Sequence, residues 1–264
     1  MAARNPRFQL SELGLDCMLF VASALAPLLS AADIIVRPIR TRRVFAAVRK
    51  TEESPMTVLR QIWFGRATRE ALRIALELGM SPSVLRRVVI TGNTAALGGP
   101  CVYAIYHTPW GRVMAHWLRT RPRTTIYATG RWQDRARTAH LPCGQAGLRR
   151  LLSSVRSGAC AAVTIDHFSS RAPSCAVCLL GRTVQVSTGP ARIAHAAQVP
   201  VVPVITRFVD GTIELNLGEP IQIGEESPEK ITAALFESFN LELKRDPGGW
   251  EGTYSFLEES RGRS

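Results

Sequence analysis

The chain has no G-x-x-x-x-G-K-[ST] loop, no G-x-G-x-x-G turn and no G-x-S-x-G elbow. P-loop NTPase, dinucleotide-binding and α/β-hydrolase chemistry are therefore excluded on motif grounds. Cysteine is sparse: six residues are spread over 264 with no regular framework. A disulfide-stapled scaffold is excluded, and a reducing compartment is expected. Cys175 and Cys178 form one CxxC pair, but no second pair completes a zinc site, so no metal is expected. Zinc-finger, helix-turn-helix and aromatic stacking patterns are also missing, which argues against a nucleic-acid partner. No internal repeat or low-complexity tract occurs.

Lysine is nearly absent. Arginine supplies almost all of the 33 basic residues, which outnumber the 21 acids and leave a net charge of +12. Guanidinium groups suit phosphates and carboxylates, so anionic partners are expected. With 46% hydrophobic residues the chain has material for a real core, as one large α/β domain or two small ones.

Cys17 to Ala32 is an uncharged, largely apolar run, bracketed by Asp16 and Asp33. As a helix it reaches roughly 24 Å, short of the ~30 Å hydrocarbon core, and Pro27 is expected to kink it. A tilted or interfacial anchor fits best. A buried soluble helix and a cleavable signal peptide, with Ser30-Ala31-Ala32 as its cleavage site, stay open. The cluster Arg37, Arg40, Arg42, Arg43, Arg49 and Lys50 favours retention on the cytoplasmic side.

Hydrophobic spacing predicts a helix over Thr57 to Leu78, ending at Gly79. Cys101 to Tyr106 reads as a buried strand that delivers His107 at its end, and Val113 to Leu118 starts the next helix. Thr124 to Ala128 is a strand, Gly144 to Ser157 an amphipathic helix, and Ala161 to Ile165 a strand that delivers Asp166. Pro190 to Ala197 is a helix and Val199 to Ile205 a strand. Thr212 to Leu217 alternates as an antiparallel strand, and Glu229 to Asn240 is a helix. The order implies an α/β fold, a mostly parallel mixed sheet flanked by helices, behind an amino-terminal hydrophobic helix.

His107 is the candidate general base, because an imidazole at a strand end sits at the mouth of a pocket, with Tyr106 or Trp110 beside it. The order of these signals resembles the lipid A biosynthesis acyltransferases, relatives of the phosphatidylinositol mannoside acyltransferases. The resemblance rests on Val88 to Arg112, Gly147 to Phe168, Leu179 to Arg192 and Ala197 to Val204, about two thirds of the chain. In it, Leu179 to Arg192 corresponds to a glycine-bearing loop and the start of a helix.

The resemblance implies a glycerolipid-acyltransferase-like fold, with segments 1–36 as anchor, 37–246 as the acyltransferase domain and 247–264 as a polar tail. It implies an O-acyltransferase at the cytoplasmic face of the inner membrane. The co-substrate is an acyl thioester of acyl carrier protein or coenzyme A, with no resident cofactor, and the acceptor is an anionic lipid or glycolipid. Arg112, Arg135, Arg137, Arg171 and Gly189 are the candidate substrate-binding residues. The family places an acid five residues after its histidine; here Arg112 stands there, and as a cation it is expected to lower the His107 pKa. The orienting group is then Asp166 or a backbone carbonyl. A catalytically impaired relative that binds acyl chains or lipids as an accessory protein is the alternative.

Overall fold

The computed structural model describes residues 6–36, 54–121, 124–127, 145–166, 168, 173–253 and 256. At its centre lie β2 (Val102–Ile105) and β4 (Cys160–Thr164), paired in parallel. Both are runs of apolar residues without alternation, which suits strands covered on both faces; every residue of β2 is buried. On the far side of β2 is β7 (Val201–Val209), and outside β4 is β3 (Thr124–Tyr127), both parallel to their neighbours.

The chain reverses after β7 through Asp210 and Gly211, both at positive φ (48° and 77°). That is the backbone of a two-residue hairpin turn, and β8 (Thr212–Leu217) returns antiparallel as expected. β1 (Val88–Gly92) closes the sheet parallel to β8, giving the order β1-β8-β7-β2-β4-β3. The mixed, mostly parallel sheet expected from the sequence is present.

Alternate residues of the central strands feed two cores. Cys101, Tyr103, Ile105, Cys160 and Ala162 pack with α1 (Pro6–Val36), α2 (Pro55–Glu77) and α4 (Gly111–Arg119); α3 (Ser81–Arg86) closes the same face. Val102, Ala104, Tyr106, Ala161, Val163 and Ile165 pack with α5 (Gln145–Arg156), α6 (Gly189–Ala197) and α7 (Pro228–Arg245).

Two expectations are corrected. Leu179 to Arg192 is not simply a loop and helix start: β5 (Ser174–Leu179) and β6 (Arg182–Ser187) form an antiparallel hairpin before α6. Its alternation explains this, since Val177, Leu179 and Val186 are buried while Ala176, Cys178, Thr183 and Gln185 face out. The amino-terminal helix is also longer than its uncharged run. It passes through Pro27 and beyond both aspartates, and its apolar part, Leu13–Ile35, holds 23 residues at mean hydropathy 2.0. That is about 35 Å of helix, long and apolar enough to cross a membrane.

One stripe of α1, comprising Leu15, Leu19, Ala22, Ala26, Ser30 and Asp33, is buried, and α1 packs chiefly along α2. The small residues on that stripe let the two helices lie close. On the other side Phe20, Val21, Leu25, Leu28 and Ile35 are exposed.

Candidate active site

The register of β2 against β4 builds the site. Val102 faces Ala161 and Ile105 faces Thr164, so each residue of β2 lies beside the one 59 positions later. Carried two residues past both strands, the same offset sets His107 beside Asp166. At the other end it sets Cys101 beside Cys160, whose sulfurs lie 3.8 Å apart. His107 and Asp166 thus occupy the carboxyl edge of the parallel strands, where open α/β sheets bind ligands.

Three donors converge on the Asp166 carboxylate. The His107 ring meets Oδ1 through Nδ1 at 2.8 Å, and the His107 backbone N–H donates to Oδ2 at 3.0 Å. The Trp250 indole N–H donates to Oδ2 at 2.8 Å. The Asp166 side chain is 2% exposed, that of His107 50%. A carboxylate is acceptor-only, so this set fixes its orientation and, with Asp166 ionised, the proton of a neutral His107 ring on Nδ1.

The electrostatics follow from the same contacts. Asp166's hydrogen bond raises the His107 pKa above its usual value of 6.5; partial burial opposes this, and the charges of Asp166 and Glu251 add to the rise. Burial alone pushes the Asp166 carboxyl up, but the hydrogen bonds and charge of His107, with the Trp250 N–H, outweigh it and hold the group below 3.8.

A turn after α7 brings Trp250 into place. The Asp246 carboxylate accepts from the Gly248 N–H (3.1 Å), and Pro247 to Gly249 form one buried turn of 3₁₀-helix. Here α2 approaches so closely that only glycine fits: a Cβ on Gly248 would lie 2.3 Å from the Gln61 carbonyl, and one on Gly65 would lie 2.7 Å from the Gly248 carbonyl. The Trp250 ring is walled by Phe168, Phe239 and Phe256 at centroid distances of 5.5–5.9 Å. The next residue, Glu251, donates its N–H to the His107 carbonyl at 2.9 Å. The pair opens into a cleft of about 360 Å³ whose walls include His107, Phe168, Trp250, Glu251 and Phe256.

Of the residues expected from the sequence, His107 and Asp166 are brought together. Arg112 is half exposed on α4 with its guanidinium 3.7 Å from Glu77 of α2, and the His107 pKa is raised rather than lowered. Gly189 opens α6, where its N–H donates to Ser187 Oγ at 3.2 Å. Arg135, Arg137 and Arg171 lie outside the described residues.

Tyr106 does not flank His107. Successive strand residues point to opposite faces, and its ring lies 4.2 Å from Phe239 in the other core. Trp110 is buried on the α2 and α4 side. The aromatic neighbours are instead Phe168 and Trp250. Sequence reasoning missed Trp250 because it stands alone among glycines and acids in a stretch expected to be a polar tail. A buried carboxylate in need of a donor was the one signal for it.

Such an arrangement can take a proton from an approaching hydroxyl at Nε2 while Asp166 stabilises the resulting imidazolium. Residues 126–251 match the family described as bacterial lipid A biosynthesis acyltransferase. No curated protein matches the chain. The matched stretch runs from within β3 through α7 and holds Asp166, Trp250 and Glu251, while His107 precedes it. Residues 126–251, just under half of the chain, are therefore similar to the bacterial lipid A biosynthesis acyltransferase family.

Proposed function

We propose that the protein moves a fatty acyl chain from an acyl thioester, carried by acyl carrier protein or coenzyme A, to a hydroxyl of a saccharolipid or related lipid. His107 is the general base and Asp166 its orienting acid. The hydroxyl oxygen attacks the thioester carbonyl carbon as His107 Nε2 takes its proton. Collapse of the tetrahedral intermediate breaks the C–S bond, and the imidazolium returns the proton to the departing thiolate. The products are an ester and a free thiol.

The observation that carries this reading is the His107–Asp166 hydrogen bond of 2.8 Å at the floor of an aromatic-walled cleft. It supplies the orienting carboxylate that the position of Arg112 does not. The same reading assigns Arg112, Arg135, Arg137, Arg171 and Gly189 to anionic groups of donor and acceptor. It places α1, with its exposed apolar face, in the inner membrane so that the domain lies on the cytoplasmic side.

The test is acyl transfer by purified protein in uncharged detergent, using acyl carrier protein and coenzyme A thioesters with lipid acceptors. His107→Ala is expected to lower kcat by about 10²–10⁴, the usual contribution of a positioned base. Turnover unchanged by the substitution refutes the reading. So does a native protein that binds acyl chains without turnover.

A further inference from the structure

The offset that sets His107 beside Asp166 sets Cys101 beside Cys160 at the other end of the same two strands. The sulfurs are 3.8 Å apart, with the Cys101 thiol donating to the Cys160 sulfur. A third group joins them. Tyr103 lies two residues along β2, so its side chain leaves the same face of the sheet, and its hydroxyl bonds to both sulfurs. The cluster stands at the opposite edge of the sheet from His107, and acyl transfer makes no use of it.

Its geometry makes the two thiols unlike. The hydrogen bond from the Cys101 thiol favours a thiolate at Cys160. Against the opposing effect of burial, that bond, the Cys101 backbone N–H and Tyr103 hold Cys160 below the usual 9.0. Cys101 is pushed upward, by its bond to Cys160 and by burial. The pair is thus one nucleophile with a second thiol held in contact beside it.

The cover over the pair is thin. Cys101 and Cys160 are 1% and 8% exposed, and what lies next to them is a short strip of chain. The Cys160 thiol donates to the Gly99 carbonyl at 3.3 Å, and Cys101 Sγ is 3.9 Å from the Ala96 carbonyl. Gly98, Gly99 and Pro100 are themselves exposed, with open space around both glycines. An oxidant as small as hydrogen peroxide has only this strip to pass. The strands also suit the product: neighbours in a sheet lie about 4.7–4.9 Å apart, within the roughly 4.4–6.8 Å between Cα atoms that a disulfide spans.

We propose that Cys101 and Cys160 form a peroxide-oxidisable dithiol that closes into a reversible disulfide between β2 and β4. The Cys160 thiolate attacks a peroxide oxygen and the O–O bond breaks. The departing hydroxide takes up the proton that Cys160 had released and leaves as water, with a sulfenic acid left on Cys160. The Cys101 sulfur then attacks the Cys160 sulfur, the S–O bond breaks, and hydroxide leaves with the Cys101 proton as a second water. Peroxide is reduced to water, the thiols are oxidised to a disulfide, and a dithiol reductant reverses the change. In a reducing compartment such a bond is transient and redox-sensing. It ties together the strands whose far ends carry His107 and Asp166, and it does not depend on the acyl-transfer reading.

The full chain in uncharged detergent is reduced with a phosphine, freed of it, and treated with hydrogen peroxide equimolar to protein. Remaining thiols are alkylated under denaturing conditions, and the peptides are read by mass spectrometry. The expected product links Cys101 to Cys160, in at least about tenfold excess over any pairing of Cys17, Cys175 or Cys178. Dithiothreitol is expected to return both thiols.

Cys101→Ser keeps a donor beside Cys160 but removes the second thiol. It is expected to hold the sulfenic acid on Cys160, where dimedone captures it. Cys160→Ser is expected to show at least about tenfold less capture at Cys101. Recovery of Cys101 and Cys160 as free thiols from the native chain overturns the proposal, whatever the variants do. So does a linkage in which the other cysteines pair as often. Equal capture at Cys101 and Cys160 in the two variants overturns the assignment of Cys160 as the nucleophile.

Discussion

Asp166→Asn is the sharpest perturbation of the proposed base, because the three donors leave an amide only one tolerable orientation. Oδ1 meets the His107 ring, while Oδ2 accepts from two N–H groups, those of the His107 backbone and Trp250. An asparagine that keeps its oxygen at the Oδ2 position retains both of those bonds. Its NH₂ then faces Nδ1, which must become the unprotonated nitrogen. The proton moves to Nε2, and the ring no longer offers a lone pair to the cleft. The opposite orientation aims NH₂ at two buried donors, each left unsatisfied at about 1–3 kcal/mol. Even at the low end the first orientation wins by about 2 kcal/mol, a factor of roughly thirty in population.

The variant is therefore expected to lose about 10³–10⁴ in kcat, the order found when a triad carboxylate becomes an amide. Asp166→Ala removes the charge without imposing a tautomer and is expected to lose less. Adding Trp250→Phe to Asp166→Asn removes one of the two donors that anchor the amide oxygen, so the double variant is expected to regain part of the loss. Acyl-transfer rates measure the outcome, and ring ¹⁵N shifts of His107 read the tautomer without turnover. Asp166→Asn activity within about tenfold of native, or a ring still protonated at Nδ1, refutes the reasoning.

Other expectations follow from the same geometry. A base works when neutral, so acyl transfer should rise with pH through a value above 6.5, and that limb should move down in Asp166→Ala; a limb that stays put removes the coupling. Because the folded pKa of His107 is raised, its stabilisation is full below 6.5 and fades as pH rises through the folded value. Asp166 is depressed, so its share is full above 3.8 and fades as pH falls through the folded value. The melting gap between native protein and Asp166→Ala should therefore be widest between pH 3.8 and 6.5.

Gly248→Ala places a Cβ 2.3 Å from the Gln61 carbonyl. It is expected to cost about 1–3 kcal/mol and to loosen Trp250 from Asp166, whereas Gly224→Ala, with open space around it, is silent in the same thermal scan. Leu28→Lys alters a side chain on the exposed face of α1. A charge near the middle of a span costs about 3 kcal/mol, so vesicle partitioning should fall more than about a hundredfold while the melting temperature in detergent holds. Unchanged partitioning would show that this face does not meet lipid.

The parts of the fold written in period and strand length were legible. The unalternating runs ending at His107 and Asp166 are central parallel strands, and the alternation of Thr212 to Leu217 is an antiparallel return. The hairpin of β5 and β6 was obscured because its turn, Leu180-Gly181, has the residue types of any loop. The length of α1 was obscured because aspartates at 16 and 33 look like boundaries. One of them instead pairs with Arg87 at 2.5 Å, and the other is buried on the packed stripe. Trp250 could not be placed by spacing, since its partner is 84 residues away and the close approach of Gly248 to α2 leaves no periodic trace.

That an arginine, Arg112, and not a carboxylate stands five residues past the histidine is intelligible from the sheet itself. A group at that position lies on the helix after β2, and its reach to the imidazole depends on the turn from Thr108 to Trp110. A carboxylate at the end of β4 depends on nothing but register, because the offset of 59 that pairs Val102 with Ala161 also brings Asp166 to His107. The register is fixed along the full length of two buried strands, where a slip of one residue would turn every core side chain outward. Arg112 is then released to pair with Glu77 on α2. The carboxylate proposed to orient His107 thereby occupies a position that the core already holds rigid, and the third donor, Trp250, offsets the cost of burying it there.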